Sequence, residues 1–490
     1  MKTVTQWKYA DPEQVRLSAD LLGTLEEAGH IACWVGGCVR DELIGRPVND
    51  MDIATSARPE EVIGLFARTV PTGIQHGTVT VILDKMPFEV TTFRTESAYQ
   101  DFRRPDEVTF VRSLDEDLRR RDFTMNAIAR LPGGDYIDPY GGRADLERGL
   151  IRCVGEARER FREDALRMLR GVRFASVFGF ELAPSTWEAL LELRGNMRHI
   201  AAERVRAELE KMIGGPQPSA GLRLLARSGL LEDARIGLQP QALRAAAPER
   251  LDDLPPKPGE LRWAALLQGL GVPGDEAESR LKSWTFSGGF AKSAAALLRI
   301  DEAMNAAGLF EGAAEAGGFA LRREQLAARE EPAAGPERPG ERQAGAEPPA
   351  KQEREAGALP HKPRKADART VFVRCVLDFG RTAAETWLAY RSALHGADER
   401  LAARLERAAG WLAAIPAESP RELALGGHDL AGQLDRAPGP WLGALIRRLL
   451  EAVALGEIAN EREALLAEAL RLEARLAKNE TQAQKEERPI

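Results

Sequence analysis

The alternation of apolar and polar residues that marks β-strands is confined to the first 150 or so residues of this chain. From about Arg158 onward Leu, Ala, Glu and Arg recur at helical period instead. A sheet cannot then run the length of the molecule. The pattern predicts an α+β fold, with a mixed α/β head followed by an all-helical remainder. At 490 residues the chain has room for about three domains of roughly 150 residues each.

Within the head, Pro12 to Gly29 has Val15, Leu17, Leu21, Leu22 and Leu25 at helical spacing and stops at a glycine. Ile31 to Val35 reads as a buried strand, broken by Gly36-Gly37, and Asp52 to Thr55 as a second. Pro59-Glu60-Glu61 opens another helix. Thr78 to Leu83 and Phe88 to Phe93 read as strands joined at Asp84-Lys85. Residues 329–366 are mostly Pro, Glu, Gly, Ala, Arg and Lys, without Phe, Tyr or Trp and with almost no large aliphatic residue, a composition that cannot offset its ordering entropy and predicts a disordered insert. Helices resume at Thr370 and run to about Lys478, and Asn479 to Ile490 reads as a frayed polar tail.

Composition excludes several classes. No stretch approaches the roughly 18 uncharged apolar residues of a membrane span, and Met1 to Lys8 has no apolar signal-peptide core. Cys33, Cys38, Cys153 and Cys375 make no CxxC pair or disulfide framework, which suits a reducing cytoplasm. Six scattered histidines without HxH or HExxH argue against zinc. The net charge of −7 weighs against a nucleic-acid partner, yet Ile151 to Phe174 holds seven Arg against four acidic residues, and local patches set RNA attraction.

Four constellations carry chemistry. Trp34-Val35-Gly36-Gly37-Cys38-Val39-Arg40-Asp41 is a strand entering a glycine pair and then a helix, where free N–H groups suit a phosphate and Arg40 adds a charged fork. A turn with no ligand has the same signature. Asp50 and Asp52 sit at i and i+2, on one face if the segment is extended, and two such carboxylates fit Mg²⁺ as well as they fit a solvated edge. Glu89 is a third strand carboxylate, either a metal ligand or an exposed edge residue. Arg119 to Ala127 runs basic residues into Asp122-Phe123-Thr124, where Asp122 or Thr124 is a candidate cap. Asp164, Arg167, Arg170 and Arg173, spaced by three, form one slanting ridge if a single helix runs through them, with Ala165, Met168, Leu169 and Val172 as its buried stripe. An ion-paired surface helix would also show this spacing.

In order and spacing, these four pieces resemble the class II tRNA nucleotidyltransferases: the bacterial CCA-adding enzymes and their poly(A) polymerase relatives within the polymerase-β-like superfamily. The matching motifs are GGxxRD (Gly36 to Asp41), DxD (Asp50, Asp52), RRDFTxNA (Arg120 to Ala127) and EDxxRxxRxxRFA (Glu163 to Ala175). Ala202 to Lys211 is similar to the family's ERxxxEL helix junction. Gly427-His428-Asp429-Leu430 and Pro438 to Gly443 are similar to the bacterial tail. The resemblance implies a nucleotidyltransferase head (1–150), a neck with the nucleotide-recognition helix (151–215), a helical body (216–328) and, beyond the insert, an RNA-binding body and tail (367–490).

The activity implied is addition of CCA to the 3′ end of tRNA from CTP and ATP by two-metal transfer. Asp50 and Asp52 would hold Mg²⁺, and Gly37 and Arg40 the triphosphate. Arg121, with Asp122, would contact the ribose side. Asp164 and Arg167 would read the base edge, with Arg170 and Arg173 extending the contacts. Partners would be tRNA, CTP and ATP, with no membrane, for a monomer or homodimer. A poly(A) polymerase, or an A-only or CC-only enzyme, would use the same scaffold. The stretch from Arg94 through Tyr99, Arg103-Arg104-Pro105-Asp106 and Phe110 looks complete, which favours full CCA addition.

Overall fold

The computed structural model describes residues 6–96, 108–310, 367–394 and 398–486, with side chains in the last helix through residue 475. The 329–366 insert and the middle of the 94–110 stretch lie outside the described residues. The chain forms two compact units, residues 1–270 with 278–291, and residues 271–277 with 292–490.

The first unit is built on a seven-stranded sheet in the order β3-β4-β5-β2-β1-β8-β9. Its strands are β1 (Ala32–Val35), β2 (Ile53–Thr55), β3 (Thr69–Gly73), β4 (Thr78–Leu83), β5 (Met86–Thr92), β8 (Ala129–Arg130) and β9 (Tyr136–Ile137). Only the β2–β5 pairing is parallel. All four side chains of β1 are buried, as its unbroken apolar run predicts for a central strand. The hairpin turn at Asp84-Lys85 has φ of 45° and 70°, the paired positive values of a two-residue turn matched to strand twist. Helix α1 (Pro12–Glu27) starts where the Asp11 carboxylate accepts from the amides of Glu13 and Gln14, both at 3.0 Å. It and α3 (Pro59–Leu65) pack on the sheet. On β5, Phe88, Val90 and Thr92 are buried while Glu89 and Thr91 alternate outward, so period two delivers polar groups to the open face.

Two short strands, β6 (Arg94–Glu96) and β7 (Val108–Phe110), pair antiparallel. After α4 (Leu114–Arg119) and α5 (Gly142–Glu147) the chain enters the helical segment. This segment is not all-helical, contrary to the sequence pattern. β10 (Leu150–Ile151) pairs in parallel with β11 (Glu181–Leu182), two residues being too short a run to leave a periodic signal. Between them lie α6 (Ala157–Glu163) and α7 (Leu166–Phe178), followed by α8 (Pro184–Leu193), α9 (Ala202–Ile213) and α10 (Pro218–Ser228). Helices α9 and α10 pack on α7.

The second unit is helical among its described residues. Asp301, 3% exposed, accepts from the Trp387 indole at 2.9 Å and from Arg391, joining helices on either side of the insert. Leu430, Leu445, Leu449, Val453 and Leu465 form a second core. The final helix, Arg462–Glu486, continues past Lys478, so most of the segment expected to fray is helical; its Ala, Gln, Lys and Glu are strong helix formers. No helix among the described residues is long and apolar enough to cross a membrane.

Candidate active site

Strand register brings the first two constellations together. Trp34 pairs with Ile53, and the Val35 amide donates to the Asp52 carbonyl at 3.0 Å, which sets Asp52 beside the Gly36-Gly37 turn. Gly36 has φ 72° and ψ −125°, a conformation side chains rarely adopt. A Cβ there would lie 3.0 Å from Arg121 Nη1, and one at Gly37 would lie 3.6 Å from Asp52 Oδ2 and 3.7 Å from Arg40 Nη2. The missing side chains are what let Asp52, Arg40 and Arg121 crowd the turn. Asp50 and Asp52 precede β2 rather than lying within it.

Burial pushes the Asp52 carboxyl up to about 6, Arg121 and the Gly37 amide oppose the rise, and the charges of Glu89 and Asp50 add to it. The charges of Glu89 and Asp50 thus bear on a buried Asp52, and hard oxygen donors in such a place fit a divalent cation. Asp50 is exposed, whereas Asp52 and Glu89 line the cleft. Among the described residues no three or more His, Cys, Asp or Glu side chains are grouped so that they alone could hold a metal ion.

The opposite wall is arginine. The sequence reads Asp164 to Arg173 as one ridge, but the helix breaks: Asp164 is extended (φ −142°, ψ 105°) after α6, and α7 begins at Leu166. Asp164 instead spans the break, its Oδ1 accepting from the Leu166 amide at 3.1 Å. Its carboxylate pairs with Arg204 of α9 (2.7 Å to Nη2), not with Arg167. Arg167 donates to Glu163 at 2.6 Å and to the Arg120 carbonyl at 3.0 Å. Arg167, Arg170 and Arg173 do share a face of α7, and Ala165, Met168, Leu169 and Val172 are fully buried as expected. Arg170 pairs with Asp122 at 2.7 Å and Arg173 with Glu208 at 2.5 Å.

Asp122, 8% exposed, lines the cleft and is tied into the wall behind it. It accepts from the Phe123 amide and the Asn126 carboxamide as well as from Arg170. Burial alone would raise its pKa, but Arg170, Asn126 and Arg167 outweigh that and hold it well below the usual carboxylate range. Neither Asp122 nor Thr124 caps an α-helix; only a 3-10 turn, Thr124–Asn126, follows, and Thr124 donates to Asp145 at 2.7 Å. Arg121 donates to Asp117 at 3.1 Å.

Between the walls lies a cleft of about 810 Å³, lined by Gly37, Arg40, Asp52, Glu89, Arg121, Asp164, Arg167, Arg170 and Arg173 among others. Nine Arg or Lys side chains line it against four Asp or Glu, an excess sized for a nucleoside triphosphate. Sequence reasoning missed Arg204, Lys211, Asn126 and His76, which also line it, and Glu208 behind Arg173. The i,i+4 spacing of Arg204 and Glu208 on α9 was the available signal; His76, between two strands, carries none.

Carboxylates on a mixed sheet, a glycine turn beside them and an arginine helix across a triphosphate-sized cleft define a nucleotidyltransferase head. The Poly A polymerase head domain family matches residues 32–152, and models for the RNA- and SrmB-binding site of polymerase A and for tRNA nucleotidyltransferase domain 2 match 179–234 and 373–469. The CCA-adding enzyme of Lactiplantibacillus plantarum is 37% identical over 456 residues, 93% of this chain and 96% of the relative. That of Geobacillus stearothermophilus is 48% identical over 280 residues, 57% of this chain and 68% of the relative. The crystal structure of the Bacillus stearothermophilus CCA-adding enzyme in complex with CTP matches with a TM-score of 0.73 at 34% identity, covering 96% of this chain and all of that one. The chain belongs to the CCA-adding enzyme family.

Proposed function

We propose that this enzyme adds CCA to the 3′ end of tRNA without a nucleic-acid template, transferring nucleoside monophosphates from CTP and ATP to the 3′-hydroxyl and releasing pyrophosphate. The observation that carries the reading is the cleft itself, in which the Asp52 carboxyl, its proton affinity raised by burial, faces an arginine helix. Asp50 and Asp52 would hold Mg²⁺, with Glu89 beside them. When bound, the metal supplies activation of the attacking hydroxyl and neutralisation of charge on the leaving phosphates. Gly37 and Arg40 hold the triphosphate. Three of the five Arg40 N–H bonds go to Asp41 and Asn126, so two remain for phosphate oxygens. Arg121 takes the ribose side.

Base choice follows from fixed donors and acceptors. Cytosine and adenine present an amino donor beside a ring-nitrogen acceptor, and uracil and guanine the reverse. Arg204 and the Leu166 amide occupy three of about four acceptor positions on Asp164, leaving one for the amine. Arg167 donates to the ring nitrogen, and Arg170 and Arg173 continue the contacts. Uracil or guanine would set acceptor against acceptor and donor against donor in a confined site. The four buried thiols support a reducing compartment, the cytoplasm. The finer division into head 1–150, neck 151–215, body 216–328 and tail 367–490 belongs to the same proposal.

The test is incubation with tRNA lacking its terminal CCA, Mg²⁺, and CTP, ATP or both. Addition of three nucleotides followed by a stop supports the reading. A ladder of adenosines would instead show a poly(A) polymerase.

A further inference from the structure

We propose that Phe178 is a positioning residue for the phosphate-binding guanidinium of Arg40, and that it locks the triphosphate helix to the base-reading helix. The inference rests on the reading of Arg40 as a phosphate ligand. Phe178 itself does not line the cleft, whereas Phe174, one turn earlier on α7, does. The two rings stack at 5.5 Å with 10° between their planes. Arg40, from α2 (Gly37–Leu43), lays its guanidinium carbon 4.8 Å from the Phe178 ring and 5.3 Å from the Phe174 ring. Asp41 and Asn126 fix the edge of the same guanidinium, and the aromatic pair fixes its face.

Phe178 is in turn gripped from the triphosphate side. The Arg46 guanidinium carbon lies 5.0 Å from its ring, and Arg46 Nη1 donates to the Val177 carbonyl at 3.0 Å. Two arginines, one inside α2 and one just beyond it, therefore close on the last turn of α7. That helix also carries Arg167, Arg170 and Arg173. The aromatic pair sets the spacing between the group that takes the phosphates and the groups that take the base. A nucleotide binds well only if both distances are right, so order in Arg40 before binding is worth affinity.

The experiment is steady-state kinetics on Phe178→Leu, Phe178→Tyr, Arg46→Ala and Arg40→Ala, with inorganic pyrophosphate as an inhibitor. In Phe178→Leu the KM for CTP and ATP and the inhibition constant for pyrophosphate should rise together, roughly five- to tenfold, on the scale of a lost cation–π contact. kcat, the KM for tRNA and the preference for CTP over UTP should stay near wild type. Phe178→Tyr keeps the aromatic face and should keep wild-type constants. Arg46→Ala leaves Phe178 and the cleft residues in place and should give a smaller rise in the same direction. A purely structural role would lower the active fraction and hence kcat, with KM and the pyrophosphate constant unmoved; that outcome overturns the proposal, as does a leucine variant equal to the tyrosine one. If Arg40→Ala raises the pyrophosphate constant and Phe178→Leu does not, the positioning role alone fails. If Arg40→Ala leaves it unchanged, the phosphate reading of Arg40 fails and takes this inference with it.

Discussion

Asp52→Asn should make the metal-free protein more stable at neutral and alkaline pH. The folded structure raises the Asp52 carboxyl from 3.8 to about 6, through burial first and then the charges of Glu89 and Asp50. Between those two values the folded chain binds more protons than the unfolded one. Stability therefore falls as pH rises through that window and stays low above it. About two pK units at 1.36 kcal/mol each amount to ~3 kcal/mol of strain stored at pH 8. Asparagine keeps the shape and cannot ionise, so the variant should recover a large part of that amount. Urea unfolding in EDTA measures it: the variant's midpoint should exceed wild type at pH 8 and match it near pH 4. Added Mg²⁺ should stabilise wild type at pH 8 and leave Asp52→Asn unmoved. A wild-type protein more stable than the variant in EDTA at pH 8 would refute the electrostatic argument.

Asp50→Ala should abolish nucleotide incorporation while circular dichroism shows an unchanged fold, because Asp50 is exposed; full activity would remove it from the metal site. Arg167→Ala should weaken discrimination against UTP, read from kcat/KM for CTP and UTP, and an unaltered ratio would contradict the base-edge reading. Asp122→Ala leaves the half-buried Arg170 guanidinium without this partner and should cost about 1–3 kcal/mol, measured by urea unfolding. Since Asp122 is held below its usual range, its contribution is present above about pH 4 and is lost as pH falls, so the penalty should shrink in acid. Burial pushes the Cys33, Cys38 and Cys153 thiols up to about 12 and Cys375 to about 11, so a thiol reagent at pH 8 should label none of them until the protein is unfolded.

The placing of Asp52 beside the glycine turn was legible because its signal is local: a strand, a glycine pair and Asp-x-Asp within about twenty residues. The β4–β5 hairpin was legible for the same reason. What escaped was set by tertiary contact. Asp164 and Arg167 fit a helical spacing, yet the helix stops between them, because the Asp164 side chain satisfies the amide of Leu166 and Arg204 comes from forty residues away to hold it. Asp122 reads as a helix cap, but its carboxylate pairs with Arg170, 48 residues along the chain. Edge strand β3 has polar and glycine residues where a strand pattern needs alternation, so only its neighbour β4 defines it.

The β10–β11 pair also bears on how the enzyme comes apart. Its hydrogen bonds join residues 150–151 to 181–182 and close a loop that contains α6 and α7. A helix enclosed this way cannot peel from the head by fraying at one end; both ends must be released together. The arginines of α7 proposed to read the base are thereby tied to the head at both ends of their loop. A destabilising change on either side of the cleft lowers the population of the whole site at once, and a half-assembled site, with its carboxylates in place but its selectivity lost, is scarce at equilibrium.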